Sequence, residues 1–223
     1  MPAVNTGRSH LAALVVFAVS LCCGIALAGS LFFDAELLDK VGNKYGAAAR
    51  QRFVDWQNLI ETGKDLADAD KLRRVNDFFN RNVDFVDDIV LWNKVDYWAT
   101  PTEFLAKGAG DCQDYSIAKY FTLVEMGVDE SKLRITYVKA LELNQAHMVL
   151  TYFESMRAPP LVLDNLKPAI LPATQRSDLQ PVYSFNGTGL WLAKSRGSGQ
   201  HVGGSDRLSL WTELKSRMLE SPF

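Results

Sequence analysis

Cysteine is scarce in this 223-residue chain: there are three, and two of them, Cys22 and Cys23, stand together in an apolar N-terminal run. If that run is removed, Cys112 is left alone and an internal disulfide is excluded. A leftover unpaired thiol in an exported protein is a candidate for chemistry. Histidine is equally sparse, with only His10, His147 and His201. Basic charge is not in excess: the formal net charge is −2, with no basic stripe, so no nucleic acid partner is expected. There is no internal repeat, and no acidic run has the spacing of an EF-hand loop. Apolar residues make up 48% of the chain, which excludes global disorder.

The single long hydrophobic run, Leu11 to Ala28, follows a segment with one Arg and no acid and ends in Ala26-Leu27-Ala28. A basic start, an apolar centre and small residues at −3 and −1 describe a secretory signal, so residues 1–28 are expected to be cleaved after Ala28. The run is also about long enough to stay as a membrane anchor. Leu21 is too large for the position before a lipidated Cys22.

What remains begins with helical periodicity. A short helix starts near Asp34. A second carries Phe53, Trp56, Leu59 and Ile60 on one stripe and ends at Gly63, and a third carries Leu72, Val75, Phe78 and Phe79. The aromatic-rich stretch with Trp92, Tyr97 and Trp98, broken by Pro101, is expected as an ordered loop. A helix then runs from about Cys112 to Met126, closed by Gly127. The period changes to two in "KLRITYVKAL", "AHMVLTYF" and "PLVLDNL", and "PVYSFN" and "GLWLAK" read as a hairpin. Residues 196–206, rich in Gly and Ser, are expected as a flexible linker between a 29–195 domain and a C-terminal helix at 207–223. Helices before strands give an α+β class with an antiparallel sheet.

Three residues combine into chemistry. Cys112 opens a helix, where orphan N–H groups favour thiolate. His147, in a strand, supplies an imidazole to take the thiol proton and return it to a leaving amine. Asp164, ending the next strand, holds the other ring nitrogen. His10 falls in the signal and His201 in the linker, so His147 is the partner by elimination. Each residue also has a plainer reading. A lone Cys is usually a small buried hydrophobe, a strand histidine is usually just satisfied, and Asp164 before Asn165 is able to cap a turn.

The stretches "GDCQDYSIAKYFTLVEMGVDESKLRITYVKA", "HMVLTYF" and "LVLDNL", with "YWATPTEFLAKGAGDC" and "PVYSFNGTGLWL", resemble the bacterial transglutaminase-like cysteine proteinases. The likeness runs over roughly Leu31 to Ala193. It implies a papain- or transglutaminase-like fold, with a helical lobe packed on an antiparallel sheet and the thiol on the central helix. It places the family's Cys-His-Asp triad on Cys112, His147 and Asp164. It further implies a periplasmic endopeptidase that cuts a large surface adhesin near its N-terminus, at a paired-alanine site, and so releases biofilm cells. A LapD-like inner-membrane receptor for cyclic-di-GMP is implied to hold the enzyme inactive. Calcium is the implied cofactor, at the acidic residues flanking the nucleophile, Asp111 and position 113.

At position 113 the chain departs from the family's Gly-Asp-Cys-Glu-Asp-Tyr, because it carries Gln113. A Gln carbonyl still ligates calcium, but one carboxylate charge is lost. Weaker calcium binding is therefore expected, unless other ligands compensate or position 113 only caps the helix. "DLADAD" and "DFVDD" are further acidic runs, read mainly as solvated faces. Two other functions remain open: a transglutaminase or amidase using the same triad, and a non-catalytic module that docks to a receptor.

Overall fold

A computed structural model describes residues 33–155, 157–193 and 198–220, so the expected signal at 1–28 lies outside the described residues. The helical half starts where the sequence places it. Asp34 caps α1 (Ala35–Tyr45) by accepting the Leu37 N–H at 2.8 Å. α2 (Ala47–Gly63) buries Phe53, Trp56 and Ile60, and α3 (Asp68–Asn82) buries Leu72, Val75 and Phe79. Leu59 and Phe78, expected on the same stripes, are only half-buried at their edges.

The stretch expected as a loop is mostly regular. It contains β1 (Asp84–Phe85), α4 (Asp88–Leu91), α5 (Pro101–Lys107) and β2 (Ala109–Gly110), which pairs in parallel with β1. Pro101 begins a helix here rather than ending one. It occupies the first turn, where a missing N–H is harmless, and Thr100 and Glu103 form a reciprocal capping box around it. The sequence conceals this because α4 and α5 are too short to show a period.

α6 (Cys112–Glu125) is the central helix. It buries Tyr115, Ile117, Ala118, Tyr120 and Leu123, and Gly127 terminates it at φ 83°. The chain then enters a seven-stranded antiparallel sheet made of β3 (Leu133–Ala140), β4 (Gln145–Tyr152), β5 (Leu161–Leu163), β6 (Leu171–Pro172), β7 (Leu179–Phe185), β8 (Gly189–Leu192) and β9 (Gln200–Gly204). Its order is β6-β5-β4-β3-β7-β8-β9, and α6 packs on β3 and β4. The β3–β4 register runs from Leu133 opposite Tyr152 to Ala140 opposite Gln145.

Both faces of the central strands are covered. Leu133, Ile135, Met148 and Leu150 join the helical core, while Val138, Val149, Val162 and Leu179 form a smaller apolar cluster. The α+β class holds.

The linker expected at 196–206 is corrected over its described part. Residues 200–204 form β9 and 205–207 a short 3-10 turn. An edge strand is held by backbone hydrogen bonds, so Gly and Ser suffice and no alternating pattern is needed. The expected C-terminal helix is α7 (Ser209–Glu220), which belongs to the same core. Its Trp211 ring meets Phe185, Phe121 and Tyr120 at 5.2, 5.5 and 5.9 Å.

Candidate active site

The motif residues meet at the N-terminus of α6. Asp111 caps this helix: its carboxylate accepts the Gln113 N–H at 3.2 Å, and Asp114 reaches back to the Asp111 N–H at 3.3 Å. Asp114 also accepts the Ala99 N–H at 2.8 Å, fixing the approach to α5. Gly110 is required by this packing, since a Cβ there would lie 2.4 Å from Asp114 Oδ2 and 2.6 Å from the Phe104 ring.

Cys112, the first helical residue, is half-buried. Its thiol donates to Gln113 Oε1 at 3.2 Å, and the Met148 N–H on β4 is directed at the sulfur. Burial, then the neighbouring Asp111 carboxylate, pushes the thiol above its ordinary range, and the Met148 N–H opposes them. The position-113 side chain is therefore no cap. Its amide nitrogen donates to Asp96 Oδ1 at 3.2 Å and lies 3.4 Å from Asp88 Oδ2.

β4 brings His147 to the same cleft, a cavity of about 240 Å³ that Cys112, His147, Asp111 and Gln113 all line. His147 is buried, and its Nε2 is 2.8 Å from Asp164 Oδ1. Asp164 directly follows β5, the antiparallel neighbour of β4. It also accepts the Leu166 N–H at 3.0 Å, so the turn-capping reading holds alongside the histidine contact. Burial pushes the Asp164 carboxyl up, but hydrogen bonds from His147 and Arg176 outweigh it and hold the group below its usual range.

Two residues that the sequence reading passed over complete this arrangement. Arg176 Nη2 donates to Asp164 Oδ2 at 2.6 Å and to Asp178 Oδ2 at 2.9 Å. Asn80 on α3 donates to the Asp164 carbonyl at 2.8 Å. No local pattern marks either one, because each meets Asp164 only through the fold.

The acidic residues sort differently from the expectation. Asp88, Asp111 and Asp114 each offer an oxygen, all within 4.8 Å of one another. Asp88 comes from "DFVDD", read as a solvated face, yet it is only 3% exposed. Burial and the facing Asp88 raise the Asp111 carboxyl to about 8, and burial and Asp111 raise Asp114 well above its ordinary range. Asp88 Oδ1 is buried with no hydrogen-bond partner. Three crowded hard-oxygen donors, one of them orphaned, fit a calcium ion. "DLADAD" is instead taken up in surface pairs: Asp68 with Lys132 and Tyr152, Asp70 with Arg73. Trp98, from the aromatic-rich stretch, is buried and stacked 5.5 Å from Phe185.

Residues 54–183 match the family model described as bacterial transglutaminase-like cysteine proteinase. The chain belongs to this family. Among solved structures, this cysteine proteinase is similar to EGTA-treated LapG of Legionella pneumophila. That likeness has 44% identity, a TM-score of 0.73 and coverage of 84% of this chain and 98% of the other. It is similar also to calcium-bound LapG of the same organism, with 45% identity, a TM-score of 0.70 and coverage of 83% and 99%. No curated protein matches the chain. The transglutaminase-like cysteine protease fold is thereby shown, as is the cysteine protease class.

Proposed function

We propose that this cysteine protease is a calcium-dependent endopeptidase of the periplasm. In this reading it cuts a large surface adhesin near the adhesin's N-terminus, releasing biofilm cells, and a LapD-like inner-membrane receptor restrains it when cytoplasmic cyclic-di-GMP is high. The observation that carries the catalytic part is the buried His147–Asp164 pair lining one cleft with Cys112. Similarity to LapG over nearly the whole length of that protein supports the adhesin and the receptor, and the apolar run before Ala28 supports export.

Asp164 fixes the imidazole through Nε2, which leaves Nδ1 as the nitrogen that takes the Cys112 proton. The thiolate attacks the scissile carbonyl carbon, and backbone N–H groups stabilise the resulting oxyanion. His147 returns the proton to the leaving amine. Water, deprotonated by His147, then hydrolyses the thioester and frees Cys112. Arg176 keeps the Asp164 carboxyl ionised, and Asn80 holds its backbone in place.

Asp88, Asp111 and Asp114 would hold the calcium ion. Once bound, calcium supplies positive charge beside the helix start that carries the thiol.

The test is cleavage of an adhesin N-terminal fragment by the parent and by Cys112→Ala, each in calcium and in chelator. The parent is expected to cut only with calcium. Cys112→Ala is expected to cut in neither condition while still binding the receptor's periplasmic domain. Cleavage by Cys112→Ala would refute the assignment of the nucleophile. Faster incorporation of a labelled amine than hydrolysis would instead make the parent a transglutaminase.

A further inference from the structure

Three exposed apolar side chains stand around the mouth of the Cys112 cleft. Phe85, Leu143 and Leu166 are 52%, 54% and 45% exposed, and all three line the cavity that Cys112 and His147 share. They come from segments far apart in sequence. Single apolar residues scattered over a surface are ordinary, but several drawn together at one cleft mark a place where a ligand is held.

The fold ties each of them to a different member of the triad. Phe85 on β1 pairs with Gly110 on β2, just before Cys112, and the Val86 N–H donates to the Gly110 carbonyl at 2.9 Å. Leu166 donates its N–H to Asp164 Oδ1 at 3.0 Å, the same oxygen that His147 engages. Leu143 sits in the 141–144 turn between β3 and β4, and β4 carries His147. That turn is itself anchored: the Leu141 N–H donates to the Asp178 carbonyl at 2.8 Å, and Glu142 lies 3.6 Å from Lys167. Asn144 closes it at φ 52°, a left-handed conformation that Asn tolerates. Apolar walls fixed to the groups that do the chemistry hold a substrate side chain in register with them.

The charge at the rim points the same way. Asp87 and Asp111 line the cleft, and among the described residues no Lys or Arg does. An acidic substrate side chain would meet like charge there without a counter-ion, whereas an apolar one gains by leaving water.

We propose that Phe85, Leu143 and Leu166 form a specificity subsite for a large aliphatic or aromatic side chain of the peptide substrate. That side chain lies within about three residues of the scissile bond, since an extended chain advances about 3.3 Å per residue and both groups occupy one cleft. Acidic side chains are rejected at the same place. The inference rests on Cys112 as the nucleophile and adds what its cleft selects.

Alkylation of Cys112 in the full chain, with calcium present, reads the subsite without a peptide substrate. The probes are iodoacetamide, N-isobutyl iodoacetamide and N-iodoacetylglycine, which add nothing, an apolar branch or a carboxylate to one reactive group. Mass spectrometry follows Cys112 apart from Cys22 and Cys23, and each rate is divided by that of glutathione with the same probe. The parent is expected to react about tenfold faster with the isobutyl probe than with iodoacetamide, the scale on which an apolar pocket discriminates small alkyl groups. N-iodoacetylglycine is expected to be slowest. Phe85→Ser, Leu143→Ser and Leu166→Ser should each lower the isobutyl preference about threefold or more, at exposed positions where substitution seldom disturbs a fold. Leu143→Met should keep it. So should Leu192→Ser on β8, which is equally exposed but outside the cleft.

A parent with no isobutyl preference would overturn the subsite and leave the protease reading intact. So would an equal loss in Leu192→Ser. No reaction at Cys112 with any probe, while glutathione reacts, would overturn the nucleophile along with the subsite. Rim variants that keep the preference but abolish self-association of the parent in sedimentation would assign the rim to a second copy of the chain and refute the proposal.

Discussion

Arg176 and His147 grip the two oxygens of one carboxylate: Arg176 Nη2 lies 2.6 Å from Asp164 Oδ2, and His147 Nε2 lies 2.8 Å from Oδ1. Arg176 is almost fully buried and also holds Asp178, whose carboxyl it keeps well below the usual range. Arg176→Met takes the guanidinium from both carboxylates, leaving the buried Asp164 with His147 alone as its charged partner and Asp178 with Lys167 at 3.0 Å. The expected loss of stability is about 3–5 kcal/mol, the usual cost of removing one partner from a buried pair. Because Arg176 acts through Asp164, kcat should fall more than KM changes. Urea denaturation and steady-state kinetics check this, and parent-like stability would contradict it.

Lys119 on α6 is buried, and burial lowers its ammonium to about 7, against 10.5 ordinarily. Between about pH 7 and pH 10 the folded chain has lost this proton and the unfolded chain retains it. Stability therefore rises with pH across that window on this account, and below it the cost of burying the charge is fully present. Lys119→Met removes the term. The unfolding free energy of the parent should therefore rise relative to that of the variant from pH 7 to pH 9. A pH-independent difference would contradict the assigned shift. Asn76 Oδ1, which accepts from Lys119 at 2.9 Å, loses its donor in the variant, but that loss is the same at every pH.

Gln113→Glu places a carboxylate among Asp88, Asp96 and Asp111. In chelator the added repulsion should lower the melting temperature. In calcium the extra anionic ligand should raise affinity by about tenfold. The calcium-induced rise in melting temperature should therefore exceed the parent's. Differential scanning fluorimetry in both conditions reads it, and an unchanged calcium shift would count against position 113 as part of the site.

Trp211 anchors α7 against Tyr120, Phe121 and Phe185. Trp211→Ala should cost about 3–5 kcal/mol, typical of a large aromatic removed from a core. A parent-like urea midpoint would show that α7 is an appendage rather than part of the protease core.

Calcium removal should destabilise as well as inactivate. An ion that binds only the folded chain adds about 2.7 kcal/mol when present at a hundredfold over its dissociation constant. The melting temperature should accordingly fall with chelator and recover with calcium. A magnesium-only recovery would point to a different ion.

Much of this site was legible because its information is local. Asp111 before Cys112 and Asp114 after it form a capping box, and helix capping depends on residues three apart. The β3–β4 strands announced themselves by period, so His147 was placed on a sheet beside the strand leading to Asp164. The glycine- and serine-rich stretch misled, because an edge strand needs backbone partners rather than a side-chain pattern. Asp88 was undervalued for a similar reason: a solvated acidic run and a buried acidic cluster have the same composition.

The sequence by itself determined the longer helices and the main strands, and it singled out Cys112 at a helix start and His147 as the candidate pair. These follow from capping, periodicity and the scarcity of cysteine and histidine, none of which requires distant contacts. Only the tertiary structure decided which acidic residues crowd together, that Gln113 faces Asp88 and Asp96 while accepting from the thiol, and that Arg176 holds Asp164. Each of those depends on the packing of α4, α6 and the sheet edge. Such packing brings distant residues into van der Waals contact, and no spacing along the chain records it.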